Sequence, residues 1–209
     1  MPNNIRWVIF DLGGVVVKLN IDGALLALTQ QSETDPEVIK AYLSAPDESG
    51  FSINARLELG LFTASDYVRQ VAQILNKPLN HEEIIALKML IIQGEDAQML
   101  DLLAALSKQK KLACFSNTHE IHWNHMTQHY RAFQFFEKTI ASHLIRAAKP
   151  DWNAFALATE YLNADPQECL FIDDLLANAE AARAFGWNAI HFQNHAALRE
   201  ELRQYDIVV

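Results

Sequence analysis

Five short apolar runs punctuate the chain, at residues 5–10, 112–115, 138–141, 169–172 and 188–192. Each is rich in Ile, Val, Phe, Trp or Cys and too short for a helix, so each is expected to be a strand. The runs have no polar face. Strands buried on both sides point to a parallel sheet with helices above and below. Four of the five runs follow Gln109 and alternate with helical patterns. The expected fold is α/β, with a Rossmann-like, doubly wound parallel sheet as its core.

From about Asn20 to Gln93 the period changes to that of helices. Asp35-Pro36 puts a capping residue before a proline at the first helical position, opening a helix over 37–43. Thr63-Ala64-Ser65-Asp66 is a capping-box-like start with Asp in place of the usual Glu. Tyr67, Val68, Val71, Ile74 and Leu75 follow it at helical spacing. Asn80-His81-Glu82-Glu83 opens another helix, expected to run through Ile84, Ile85 and Leu87 to 90–92. No strand signal is visible across this span. The expected organisation is a core domain of residues 1–17 and 97–209, with a helical domain over 18–96 inserted into it.

Reactive side chains collect where the strands end. In an open parallel sheet, ligands bind outside the carboxyl ends of the strands. The first strand ends in Asp11-Leu12-Gly13-Gly14, an acid followed by glycines that let the backbone turn sharply. The second ends in Ser116-Asn117-Thr118, where a hydroxyl, an amide and free N–H groups before a helix suit an anionic oxygen. The third region offers Lys149 beside the stiffening Pro150. The fourth ends in Asp173-Asp174, with Asn178 following. Two adjacent carboxylates after an apolar strand need a positive partner, and a hard divalent cation with oxygen ligands is one. Each feature alone reads equally as a turn, a helix cap or a solvated lysine. Together, in chain order and each at a strand end, they are far more specific.

In that order and spacing the chain resembles the haloacid dehalogenase-like (HAD) hydrolase superfamily, over essentially its whole length. Leu12-Gly13-Gly14-Val15, Ser116-Asn117-Thr118 and Ile172-Asp173-Asp174 look closest to a branch of sugar-phosphate phosphatases. That branch includes α-glucose-1-phosphate phosphatase and the phosphatase domain of soluble epoxide hydrolase. Glu58-Leu59-Gly60-Leu61-Phe62-Thr63 resembles the pattern of its cap domain. The resemblance implies an Mg2+-dependent phosphomonoester hydrolase. In it Asp11 is the nucleophile and forms an aspartyl-phosphate. Asp11, the Gly13 carbonyl and Asp174 would hold Mg2+, with Asp173 also in the metal set and Asn178 and Glu58 supporting. Ser116, Asn117, Lys149 and Arg146 would hold the phosphoryl oxygens.

Two departures from the pattern matter. Most phosphatases of the superfamily carry a second Asp two residues after the nucleophile, as acid and base; here Gly13 stands there. General acid–base catalysis is worth about 10²–10⁴-fold, so a replacement donor is expected, with Asp22 and Glu58 as candidates. Arg146 stands where relatives usually have Gly, and is strained if that backbone has positive φ. The missing acid keeps two alternatives open: a metal-independent haloacid dehalogenase, and a weak or inactive phosphate-binding regulator. A receiver domain is excluded, because its acidic pair comes early and it has no large helical insert.

His119, His122, His125 and His129 fall in one expected helix. Such spacing can bind Zn2+, but a His-rich polar surface is the plainer reading. Trp7, Trp152 and Trp187 read as core or packing residues, and Trp123 has no assignment.

Composition narrows the partners. The 209 residues are half hydrophobic, enough for a core, and carry 26 acids against 17 Lys plus Arg, a net charge of −9. That balance argues against a nucleic-acid or membrane-surface partner, each of which wants clustered cations. Cys114 and Cys169 lie in apolar runs and read as core thiols. The first six residues lack the layout of a signal peptide, so the expected location is the cytoplasm. A small phosphorylated metabolite is itself an anion, so its attraction must come from local cations.

Overall fold

A computed structural model describes residues 4–208. The expectation about the N-terminal layout rests partly on residues 1–3, outside the described residues. The chain opens with β1 (Trp7–Phe10) and β2 (Val17–Leu19). Five helices follow: α1 (Ile21–Ser32), α2 (Pro36–Ser44), α3 (Ile53–Glu58), α4 (Ala64–Ala72) and α5 (His81–Met89). Then come β3 (Ile92–Glu95), α6 (Ala97–Leu106), β4 (Lys111–Ser116), α7 (Glu120–His129), β5 (Lys138–Ala141) and α8 (Ser142–Ile145). The last part holds α9 (Trp152–Leu162), β6 (Cys169–Asp173), α10 (Leu176–Phe185), β7 (Asn188–His191) and α11 (His195–Arg203).

Five strands form one parallel sheet in the order β5-β4-β1-β6-β7, and these are the five runs expected from sequence. Strand burial follows position. β1 and β6 are buried throughout, whereas the edge strands β5 and β7 are only half buried. Side chains alternate between two cores, as the two-residue strand period requires. Val8 and Phe10 pack with α6, α7 and α11 on one face. Trp7 and Ile9 pack with α9 and α10 on the other, around Phe115, Phe155, Phe171 and Trp187. Both cysteines are fully buried, and burial pushes each thiol up to about 12, so they are inert core residues. Of the expected core tryptophans, Trp152 is 60% exposed. It packs edge-on against Phe185 at 4.6 Å, at the start of α9.

The chain leaves β1, passes to β4 on one side and returns to β6 on the other. The order therefore switches at β1, and the crevice beyond its carboxyl end is the binding position of a doubly wound sheet.

Helices α1, α2, α4 and α5 enclose a separate small core of Leu28, Ile39, Tyr67, Val71, Ile84 and Leu87, which Leu57 of α3 completes. The caps read from sequence set its helix starts. Asp35 accepts from the Glu37 N–H, and Thr63–Asp66 and Asn80–Glu83 form reciprocal capping boxes. The third of these helices stops at Met89 rather than continuing to 92. A strand also lies where none was expected: β3 pairs antiparallel with β2, Val17 facing Glu95 and Leu19 facing Ile92. Among the described residues no helix is long and apolar enough to cross a membrane.

Candidate active site

β1 hands Asp11 directly to the crevice, and its N–H still bonds the Ile172 carbonyl, continuing the ladder to β6 (2.9 Å). The next turn is tied back tightly, with the N–H groups of Val16 and Val17 both donating to the Leu12 carbonyl. Gly14 has φ +74°, and a Cβ on it would overlap the Asp174 carboxylate. Gly14→Ala is therefore expected to displace Asp174 and strain the turn. A Mg2+ titration followed by calorimetry should show binding weakened at least about tenfold, the range seen when shells around metal ligands are disturbed. Binding equal to wild type would refute that role for Gly14.

Lys149 reaches in from the loop that precedes α9. It is buried, and its ammonium donates to Asp11 Oδ1 (2.8 Å), Asp173 Oδ2 (2.7 Å) and the Phe115 carbonyl (2.8 Å). All three of its protons are thereby used. Burial alone would lower this ammonium, but Asp11 and Asp173 outweigh it and hold the pKa above its ordinary value. Burial raises the Asp11 carboxyl to about 6, against the opposing pull of Lys149.

The two neighbouring aspartates are held differently. Asp173 is fully buried and saturated: Leu175 N–H and Asn178 Nδ2 donate to Oδ1, and Lys149 and Asn178 to Oδ2. Asp174 is half-buried and faces the Gly14 turn, and burial and the Asp173 charge raise its pKa. His191 fixes its backbone through the Asp174 carbonyl (3.0 Å). Carboxylate oxygens of Asp11, Asp173 and Asp174 all lie within 4.8 Å of one another, the sole such group of potential metal ligands among the described residues. Three carboxylates share one ammonium, so the cluster has an unmet negative charge that suits a divalent cation. The histidines form no such group.

The remaining expected residues divide. Ser116 ends β4 and lines the crevice with Gly13 and Asn117. The Asn117 amide is occupied in clasping the backbone of Lys149, accepting from its N–H (2.9 Å) and donating to its carbonyl (2.8 Å). Arg146 is exposed, with φ +55°, ψ +34°, a left-handed conformation that costs a non-glycine residue about 1 kcal/mol. It lines a second opening of the crevice beside Lys149 and Glu58. Glu58 is half-buried in the pocket and burial raises its carboxyl, while Asp22 lines a different cavity.

Sequence reading missed part of the pocket. Its volume is about 230 Å3, and Lys88, Asn54, His119 and His122 also line it. His119 and His122 are buried, with ring centroids 4.2 Å apart, and so are no polar surface. Burial holds His119 well below the ordinary histidine range and brings His122 to about 4. Lys88 had a visible signal: it follows the buried Ile84 at i+4, on the same face of α5. Trp123 is core, edge-on to Phe133.

The helical insert is fastened over the opening. The Ser142 hydroxyl accepts from the Thr118 N–H and lies 2.6 Å from the Glu58 carbonyl. Glu120 accepts from the Ala64 N–H, and His122 Nε2 bonds the Lys88 carbonyl.

A switch-point site with this buried charge cluster, roofed by an inserted helical unit, defines an α/β enzyme. The model of the family described as haloacid dehalogenase-like hydrolase matches residues 5–186, and the chain belongs to that family. It is similar to a D-ribitol-5-phosphate phosphatase of Bacteroides thetaiotaomicron, 24% identical over 95% of this chain and 97% of that protein. A sesquiterpene phosphatase of Aspergillus oryzae is 23% identical, covering 98% of each chain. A crystal structure of a HAD family enzyme from B. thetaiotaomicron, in complex with magnesium and inorganic phosphate, superposes with a TM-score of 0.81. It is 26% identical and covers 93% of this chain and 98% of that one.

Proposed function

We propose that the protein is a cytoplasmic, Mg2+-dependent phosphatase. Its substrate is a small phosphomonoester of the sugar-phosphate type, and the phosphoryl group passes through Asp11. The observation that carries this reading is the cluster itself: Asp11 at the switch point, Lys149 clamped between two carboxylates, and a third carboxylate left without a cation. The names of the two phosphatase relatives, and the magnesium and phosphate in the related structure, support it.

Asp11 forms a bond to phosphorus as the ester P–O bond breaks, and water then hydrolyses the acyl phosphate, returning the carboxylate and free phosphate. A carboxylate approaching a phosphate meets repulsion of about 4 kcal/mol per charge pair at 4 Å and an effective dielectric near 20. Lys149 offsets part of it. Asp11, Asp174 and the Gly13 carbonyl would hold Mg2+, which would supply the further neutralisation. Asp173, with its oxygens already saturated, positions Lys149. Ser116 and the N–H groups after it receive the phosphoryl oxygens. Asn117 acts by holding Lys149, and Arg146 adds a cation at the second opening. The helical unit is the cap: closed, it excludes water from the transfer.

The test is phosphate release from a panel of phosphomonoesters, with Mg2+ and with chelator. Release that stops with chelator is expected. Chloride release from a 2-haloacid without metal would replace this reading with the dehalogenase one. Phosphate binding without turnover would replace it with a regulatory one.

Gly13 leaves the acid position empty, and a Cβ there meets only the flexible Leu19 side chain, at 3.0 Å. Gly13→Asp is expected to raise kcat on an alkyl phosphate about tenfold or more. An unchanged kcat would place the proton donor elsewhere in the pocket, with Glu58 the first residue to mutate.

The cavity beside Asp22 favours a second reading, an ester with an apolar tail. It measures about 310 Å3, lies between α1, α2 and α5, and shares Ile21, Asn54, Lys88 and Ile91 with the catalytic pocket.

A further inference from the structure

The roof of the pocket carries two charges that hold neither the phosphoryl group nor the metal in the proposed reaction. Lys88 enters from α5 and Glu58 from the end of α3, and both line the same 230 Å3 space as Ser116 and Gly13. Among the described residues neither side chain belongs to an ion pair, although each lowers the cost of the other's charge. The Lys88 ammonium has one long contact, 3.4 Å to Asn54 Oδ1, and otherwise lies over the Tyr67 ring at 4.8 Å. Burial lowers it to about 8. Half-buried opposite charges held apart across a pocket that is otherwise largely apolar leave donors and acceptors facing open space. Such groups are expensive unless a ligand satisfies them.

We propose that Lys88, Glu58 and Asn54 form a hydroxyl-reading subsite that selects phosphate esters of polyhydroxylated alcohols. The inference rests on the phosphatase reading of the floor below. A hydroxyl both donates and accepts, so neighbouring hydroxyls of one substrate bridge the gap, donating to Glu58 and accepting from Lys88. The position of Lys88 also closes the second reading. The ammonium lies on the boundary with the apolar cavity, and an apolar tail crossing there would strip it of water without replacing the lost bonds. Sites built on hydrogen bonds reject analogues lacking the hydroxyl more strongly than apolar pockets reject extra groups.

Calorimetric binding to the Asp11→Asn protein tests this without turnover, using an alditol 5-phosphate and phenyl phosphate, which has the same phosphoryl group and no hydroxyls. Adding Lys88→Met is expected to weaken alditol phosphate binding about 30–100-fold and phenyl phosphate binding about threefold or less. Lys88→Arg should restore most of the difference. If Lys88→Met melts at a much lower temperature, Glu58→Gln decides instead, with a loss of about tenfold on the alditol ester alone. Equal weakening of both esters overturns the proposal, as does tighter wild-type-cap binding of an isoprenyl phosphate than of the alditol ester. Wild-type hydrolysis of phenyl phosphate reports on the phosphatase reading separately.

Discussion

Asp11→Asn is expected to lower kcat by about 10⁴-fold or more and, at the same time, to raise the melting temperature of the metal-free protein. The first effect follows if Asp11 is the proposed nucleophile. The second follows from the electrostatics of the cluster. The Asp11 carboxyl is raised from 3.8 to about 6 in the fold. A carboxyl raised on folding contributes most below its unfolded value, and the contribution is lost as pH climbs through the folded value. At pH 7 the ionised group therefore costs stability, at most about 3 kcal/mol for a shift of this size. Asparagine removes that cost, and each kcal/mol is worth about 2–4 °C in a chain of this length. Raising the pH from 4 to 7 should destabilise wild type relative to the variant. Thermal melts in chelator at both pH values check this, and a variant melting below wild type at pH 7 would contradict it.

Lys149→Met is expected to damage both stability and turnover. It leaves Asp11 and Asp173 as buried carboxylates with no cation, and removing one partner of such a group costs about 3–5 kcal/mol. Turnover should fall by about 10²–10³-fold or more, the loss typical of a transition-state electrostatic contact. Urea denaturation should show the midpoint shifted well down with an unchanged slope. Adding Mg2+ should recover part of the loss, as a ligand of the folded cluster alone would. The double variant Asp11→Asn/Lys149→Met should be more stable than Lys149→Met alone, because one uncompensated charge is gone. A Lys149→Met protein as stable as wild type would show that the acids do not need the lysine.

The sequence made the sheet legible because each core strand is apolar at both parities. It made much of the floor of the candidate site legible because Asp11, Ser116 and Asp173 end or directly follow strands that could be read one by one, whereas Lys149 comes eight residues after β5, beyond α8. The roof was less legible. Lys88 is separated from Asp11 by 77 residues, and only its place on the buried stripe of α5 hints that it points inward. β3 escaped notice because Ile92-Gln93-Gly94-Glu95 has no apolar alternation; it is a strand through its pairing with β2. His119 and His122 looked like a wet surface, yet the insert packed above α7 takes them out of water, which a helical period cannot foretell. The difference between Asp173 and Asp174 was also hidden. It is set by Asn178 and Lys149 converging on one carboxylate and leaving its neighbour free.

The β2–β3 ribbon has a consequence for how this enzyme can change. The chain enters the helical unit through β2 and leaves it through β3, and Val17 and Glu95 are ladder partners. Backbone bonds seal both ends, from Asn20 to Ile91 and from Asp96 to Val16. To the sheet, everything between is a single surface loop, whatever its length or number of helices. Insertions, deletions and drift inside it can leave the sheet and the Asp11–Lys149–Asp173 cluster in place while remaking what the roof admits. The ribbon thus works as a socket: about a third of the chain can be remodelled while the sheet beneath it keeps its shape.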